Sequence, residues 1–557
     1  VAIVYNGEVY NFRNLRTQLG PHTLRTQSDT EVILEGYLRH GINFFQRLRG
    51  IYAFAILDRR NDGTRLVLGR DPVGVKPLYF TDSENEIVFG SEIKAVKAAS
   101  ETSLSWSETA LKHFLHFSYV PEPLTAWNEI QALRPGHILV WEEGKGTQSI
   151  PFFKFDFEPG GKKNYSTLLE ETEARIQTAV TRNLEADVDV SLALSGGIDS
   201  SLVYHVAHRV QPEIQALSVS FARDPRYDES PLIRQIVDTI GGKHHMLEPT
   251  SKVDLDLVHS VFEHFDQPYA DSSAIPVFLL NQAARAFGKV LIGGDGGDEL
   301  FNGYPSQTFL AYTAPILQFP GIASCIRFAQ AVSRGGLSRK LDRTAGLVKG
   351  GKSLFHILYN RNAWFPPTLT HDGKPVFQYD YQELVESYGS LFADEVPASR
   401  ENTIVFDYFR KTMLSDYLRK TDMMAMRHGV EWRVPLLDED LAVFAFKIPF
   451  FSKSDLFTTK KILRDLHKKV YPKNISKAPK SGFGIPMDIY LTREEKKKMC
   501  EVVGNGECVF AGWIDKTYLE FLIRSFLGKG DSTKISRGAV YQRMLILYNL
   551  QRWAMNN

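Results

Sequence analysis

Three stretches of this 557-residue chain combine residue types that handle phosphate chemistry. The first is Ala193-Leu194-Ser195-Gly196-Gly197-Ile198-Asp199-Ser200-Ser201. Its glycines let the backbone turn tightly and approach a ligand. Its N–H groups and serine hydroxyls converge where a helix is expected to begin, an arrangement that favours an anion. A Gly-Lys-Ser/Thr ending is missing, so this is not a Walker A loop. The second stretch is Gly293-Gly294-Asp295-Gly296-Gly297-Asp298-Glu299. Asp199 and Asp298 could share a Mg²⁺, an ion usually held by one or two carboxylates plus phosphate oxygens. The third, from Lys477 to Pro486, carries Lys480 on a Gly/Pro-rich loop. A cation there suits the charge of a transition state at phosphorus.

Such loops act together only if the strands before them end side by side. From Tyr165 onward, strand patterns (188–194, 216–221, 244–247, 289–293) alternate with helical ones (200–209, 230–240, 276–287). That alternation predicts a parallel sheet flanked by helices, with both glycine loops at its carboxyl edge. Residues 167–170 read as a capping box, with Leu169, Ile176 and Val180 on one helical face. After about Thr403 the pattern is mostly helical. Residues 1–150 instead show short alternating runs, such as 51–57 and 66–68, with turn residues between them, which predicts antiparallel hairpins. Residues 151–163 read as a linker, so the expected domains are 1–150 and 165–557.

Composition narrows the class. There are 66 basic and 65 acidic residues, and this balance argues against a large nucleic-acid footprint. The Lys496-Lys497-Lys498 run reads as a solvated helix face. Cys325, Cys500 and Cys508 are too few for a disulfide framework and suit a reducing, cytoplasmic setting. No run of about twenty apolar residues marks a membrane span, and no signal-peptide pattern opens the chain.

In combination the motifs resemble the glutamine-hydrolysing asparagine synthetase family, class II amidotransferases fused to a synthetase that splits ATP into AMP and pyrophosphate. The resemblance rests on Tyr5-Asn6-Gly7-Glu8-Val9-Tyr10-Asn11, Ser28-Asp29-Thr30-Glu31, Arg70-Asp71-Pro72-Val73-Gly74-Val75-Lys76-Pro77 and Gly90-Ser91-Glu92. It continues through the two glycine loops, Lys420-Thr421-Asp422-Met423, Val430-Glu431-Trp432-Arg433 and the Lys480 loop. It implies an N-terminal-nucleophile-type α+β glutaminase domain, rich in antiparallel strands, followed by an α/β ATP-pyrophosphatase domain with a helical C-terminal part. Asn6 and Gly7 match oxyanion-hole positions. Asp29 matches the carboxylate that binds the glutamine ammonium, with Glu8 at the same site. Leu194, Val219 and Gly294 match positions at the adenine nucleotide, and Ser195, Gly196, Gly197, Ser200 and Ser201 form the pyrophosphate loop. Asp295 matches an acidic position tied to the acyl-adenylate, and Lys480 the lysine of the adenylation step. Glu431, Arg433 and Asp438 are similar to a buried ionic network, read as structural.

The resemblance implies ATP-dependent asparagine synthesis from aspartate through β-aspartyl-AMP, with ammonia from glutamine, Mg²⁺ with ATP, and in many relatives a homodimer. Two departures accompany it. The family's N-terminal Cys nucleophile is absent, and the chain opens Val1-Ala2-Ile3-Val4 like the middle of a strand. The expectation is a sequence lacking its start and, as written, unable to hydrolyse glutamine. Asp295 stands where some relatives carry Glu. Three alternatives remain: an acyl-adenylating amidotransferase or β-lactam synthetase-like ligase acting on another acid, a tRNA-modifying enzyme with a similar loop, and a catalytically dead scaffold. The tRNA reading lacks the basic stripe and the Cys pairs it would want.

Overall fold

The computed structural model describes residues 1–20, 24–60, 63–82, 86–157, 160–161, 163–219, 228–247, 253–319, 321–322, 324–326, 329, 353–366, 369–476, 490–530 and 535–557. Lys480 and its loop lie outside the described residues.

The N-terminal part is antiparallel. Strands β1 (Ala2–Val9), β2 (Gly50–Asp58) and β3 (Arg65–Arg70) join β7 (His137–Glu142) and β8 (Gly146–Pro151) in the order β1-β2-β3-β7-β8. A second sheet orders β5 (Ile87–Gly90), β4 (Tyr79–Asp82) and β6 (Ile130–Ala132) as β5-β4-β6. Successive side chains on a strand point to opposite faces. On β2, Tyr52, Phe54 and Ile56 enter a core with Val32, Ile33 and Tyr37 of the Asp29–His40 helix. Ala53 and Ala55 enter another with Leu78 and Phe80. Burial on both faces explains why 51–57 is apolar throughout, where alternation was expected.

The second part is built on a parallel sheet ordered β11-β10-β9-β12-β15. Its strands are β9 (Val190–Ala193), β10 (Gln215–Val219), β11 (Lys243–Leu247), β12 (Val290–Ile292) and β15 (Glu431–Arg433); β13 (Thr370–His371) and β14 (Lys374–Pro375) form a small separate hairpin. The chain proceeds from β9 outward to β11, then returns to lay β12 on the other side of β9. The crevice at this reversal, between β9 and β12, is where open α/β sheets bind ligands. Within the sheet, Leu192 of β9, Leu217 of β10 and Leu291 and Ile292 of β12 are fully buried.

Several expectations need correction. The helix after the linker spans Tyr165–Asn183, and its cap is Asn164, whose side chain accepts from the Thr167 N–H. Thr167 is thus inside the first turn, and the 167–170 capping box does not exist. The helix after the first loop begins at Ile198, with Gly197 as its cap residue. The fifth strand, β15, was not foreseen. The ionic network expected of Glu431, Arg433 and Asp438 divides in two. Arg433 binds Glu431 at 2.7 Å and the carbonyls of Asn183 and Glu185. Asp438 pairs with Arg182 at 3.0 Å and caps the Glu439–Lys447 helix. Cys500 and Cys508 are buried, whereas Cys325 is exposed.

Residues 400–426 are helical throughout but not uniformly α. Arg400–Phe406 and Arg419–Met426 are α-helical, and Asp407–Leu418 between them is a π-helix. Such widened turns are frequent at functional sites. Among the described residues, no helix is long and apolar enough to cross a membrane.

Candidate functional site

The 195–201 loop leaves the carboxyl end of β9, and residues 293–299 leave that of β12, its immediate neighbour. Their approach is close enough to dictate residue type. A Cβ on Gly294 would lie 2.7 Å from the Ser200 nitrogen, and one on Gly297 would lie 2.5 Å from Asp199 Cγ. At Gly294 the contact is with backbone, which would have to move for any side chain to fit, and at Gly297 it is with the Asp199 carboxylate, so both glycines stand where the first loop packs against the second.

Within the first loop, Ser200 Oγ lies 3.1 and 3.2 Å from the Ser195 and Gly197 carbonyl oxygens, either of which can accept its proton, and 2.9 Å from Ser195 Oγ. The Gly196 N–H donates to Glu229 Oε2 at 3.0 Å, so a carboxylate occupies one of the loop's anion-facing donors. Ser201 Oγ lies 2.9 Å from His467 Nε2, and Ser476 Oγ 2.7 Å from His467 Nδ1. Burial pushes that imidazole down to about 4, so it stays neutral and serves as a fixed strut. Leu194 and Val219 line the same cavity from the ends of β9 and β10.

The cavity has a volume of about 790 Å³. Leu194, Ser195, Gly197, Ser200, Val219 and Gly294 line it together with Asp199, Asp295 and Asp298, whereas Gly196 and the fully buried Ser201 do not. The π-helix supplies Tyr408, Thr412, Met413, Asp416 and Tyr417 to it.

Asp199 and Asp298 are brought together by a residue that sequence reasoning missed. Lys460 Nζ lies 2.5 Å from Asp199 Oδ2 and 2.6 Å from Asp298 Oδ1. Its backbone sits in the left-handed region, at φ +53°. Two carboxylates converging on one cation are a donor set that suits Mg²⁺ if phosphate oxygens complete the shell. Among the described residues no group of three His, Cys, Asp or Glu side chains is placed to hold a metal ion. Asp295 is aimed elsewhere: Trp432 of β15 donates its indole N–H to Asp295 Oδ2 at 2.9 Å. Burial holds the Asp295 carboxyl above its usual range, against the lowering effects of Trp432 and Lys420.

The N-terminal candidates form a separate cluster on and beside β1. Asp29 Oδ2 accepts from Tyr5 OH at 2.6 Å and from the Val9 N–H at 3.0 Å. Burial, then the charge of Asp29, pushes the Glu8 carboxyl up to about 7, and Arg433 at 3.8 Å opposes that rise. Asn6 Nδ2 lies 3.4 Å from Ser91 Oγ. Gly7 pairs with Tyr52 across the sheet, and a Cβ there would lie 2.1 Å from the Ile51 carbonyl oxygen.

An antiparallel domain joined to a parallel sheet with paired glycine loops at its switch point defines an amidotransferase-type ligase. Residues 171–554 match the asparagine synthase family, and residues 1–152 match the glutamine amidotransferase domain. The chain belongs to the asparagine synthase family. It is 28% identical to Bacillus subtilis "Asparagine synthetase [glutamine-hydrolyzing] 1" over 96% of this chain and 83% of that protein. It is 25% identical to the enzyme numbered 3 from the same organism, with the same coverage. The similarity extends to "Amidase chry2" of Gibberella zeae, 25% identical over 92% of this chain and 81% of that one.

Proposed function

We propose that the chain makes an amide from a carboxylic acid, with aspartate as the acceptor, through an acyl-adenylate. Residues 165–557 carry the synthetase chemistry and residues 1–150 the glutamine site. The acceptor carboxylate oxygen attacks the α-phosphorus of ATP, the bond to the β-phosphate oxygen breaks, and pyrophosphate leaves. Ammonia then attacks the acyl carbon, the bond to AMP breaks, and the nitrogen sheds its extra proton. The convergence of Asp199 and Asp298 on one cation, at the mouth of the 195–201 loop, carries this reading.

In this scheme Ser195, Gly197 and Ser200 face the departing pyrophosphate, Gly196 adds its N–H once Glu229 releases it, and Ser201 holds the loop in place through His467. Leu194, Val219 and Gly294 bound the adenine nucleotide. Asp199 and Asp298 would hold Mg²⁺, which neutralises phosphate charge when bound. Lys460, displaced from the carboxylates, would turn to a phosphate oxygen. Asp295 orients the acyl-adenylate, and Lys480 stabilises the transition state. In residues 1–150, Glu8 and Asp29 receive the glutamine ammonium, and Asn6 with the Gly7 N–H stabilises an oxyanion. A cytoplasmic homodimer accompanies this reading.

A second reading keeps the chemistry and changes the acid, and the likeness to a protein named an amidase favours it. Incubation with Mg·ATP, ammonium chloride and either aspartate or no acid, following pyrophosphate and product mass, decides between them. Aspartate-dependent pyrophosphate with asparagine formed supports the first. A folded protein that releases none with aspartate rejects it and sends the search to other acids.

A further inference from the structure

The motif from Arg70 to Lys76, conspicuous in the sequence, makes its hydrogen bonds and ion pairs away from Asn6, Gly7, Glu8 and Asp29. Asp71 binds the loop from within: Oδ1 accepts from the N–H groups of Val73, Gly74 and Val75, and Oδ2 from that of Lys76. Arg70 donates to the carbonyl oxygens of Gly74 and Lys76 and to Glu122 Oε2 at 2.6 Å. A loop braced in this way holds whatever it presents at a fixed place.

It presents Lys76, which is fully buried, to the C-terminal part. Lys76 Nζ lies 2.9 Å from Asp422 Oδ1. Arg419, one turn before Asp422, binds Glu122 Oε1 at 3.1 Å and the Tyr79 hydroxyl. One face of the Arg419–Met426 helix is therefore tied to the N-terminal part by two buried ionic contacts. The other face carries Lys420 and Thr421 into the cavity. Lys420 Nζ lies 2.5 Å from Asp271 Oδ2 and 2.6 Å from Ser273 Oγ, and it feels the charges of Asp416 and Asp295. Together with Arg361, it supplies the basic charge among the described residues lining the cavity. A carboxylate acceptor entering between these acids meets that charge.

We propose that Lys76 is a positioning residue of the synthetase site: through Asp422 it sets the helix that delivers Lys420 to the adenylation cavity. The N-terminal part then completes the synthetase whatever the source of nitrogen. A buried pair is costly to break because the surviving charge has no counter-ion. Loss of Lys76 therefore shifts or loosens the helix, and the effect reaches the acceptor through Lys420. The inference rests on the proposed adenylation reaction.

The test is a double-mutant cycle with ammonium as nitrogen source, reading acceptor-dependent pyrophosphate release. Lys420→Met is expected to lower kcat/KM for the acceptor about a hundredfold and Lys76→Met about tenfold, with the KM for ATP unchanged in the latter. The double variant should fall no further than Lys420→Met alone. Multiplied effects, about a thousandfold, would overturn the proposal, as would a folded Lys76→Met protein with parental kinetics. If Lys76→Met does not fold, Asp422→Asn, which keeps the side-chain shape, enters the cycle in its place. Should the parent release no pyrophosphate with any acid, the functional reading fails, and hydrogen exchange still decides the link. Faster exchange over 419–426 in either variant supports it, and parental exchange rejects it.

Discussion

Trp432 donates its indole N–H to the Asp295 carboxylate at 2.9 Å, joining the fifth strand to the second glycine loop. The bond lowers the Asp295 pKa against the upward push of burial. Trp432→Phe removes the donor and keeps most of the ring. The loss should cost ~1–2 kcal/mol in stability and move the acidic limb of the pH–rate profile upward, because Asp295 then holds its proton to higher pH. A parental pH profile in a folded variant would remove Asp295 from the reaction.

Lys460 holds Asp199 and Asp298 together. Lys460→Met should reduce turnover by about 10²–10³-fold, the scale of losing one charged stabiliser in a preorganised site. It should also tighten Mg²⁺ binding to the nucleotide-free protein, since two acids are left facing each other. Calorimetric titration with Mg²⁺ alone measures this, and weaker binding in the variant would contradict it.

Gly294→Ala places a methyl 2.7 Å from the Ser200 nitrogen. Overpacking of this kind costs ~1–3 kcal/mol. Because the displaced atoms belong to the pyrophosphate loop, the KM for ATP should rise about tenfold or more. A variant that loses stability but binds ATP normally would assign Gly294 to packing only.

Lys453 is fully buried, donates to the Leu300 and Ala445 carbonyls at 3.0 Å each, and is pushed down to about 7 by burial. Its unfolded value is near 10.4. Between these two pH values the unfolded chain binds more protons, so this group makes stability rise with pH, by up to ~1.4 kcal/mol per unit. Below about pH 7 both states are protonated and its contribution is flat. Urea denaturation from pH 7 to 10 should show that rise in the parent and a shallower one in Lys453→Met. Identical slopes would place the proton elsewhere.

What could be read from sequence was local. The 195–201 loop announces itself because its glycines, serines and aspartate are neighbours in the chain, and Asp298 was legible for the same reason. Lys460 was not: it belongs to a polar run, Thr458-Thr459-Lys460-Lys461, with no glycine or period to mark it. Its meaning arises only when a left-handed turn aims it at aspartates far away in sequence. β15 was hidden because a three-residue strand with two charged members has no apolar alternation, and the charge of the buried Arg433 is met by carbonyl oxygens distant in sequence, Glu431 and the Tyr10 ring. The 167–170 capping box failed because Asn164, three residues earlier, is an equally good cap and lies where the chain leaves its extended course.

The cavity wall formed by residues 400–426 repeats at Tyr408, Thr412 and Met413, Asp416 and Tyr417, then Lys420 and Thr421. The first step is four to five residues and each later one is four, longer than the 3.6 of an α-helix, and the π-helical turns keep these side chains on one side. Counting matters here more than composition. Deleting a single residue within Asp407–Leu418 would let the turns tighten, and everything before the deletion would rotate relative to everything after it. Tyr408 and Lys420 would no longer look into the same space, although no side chain of the wall had been replaced. This segment should therefore accept substitutions far more readily than changes in length.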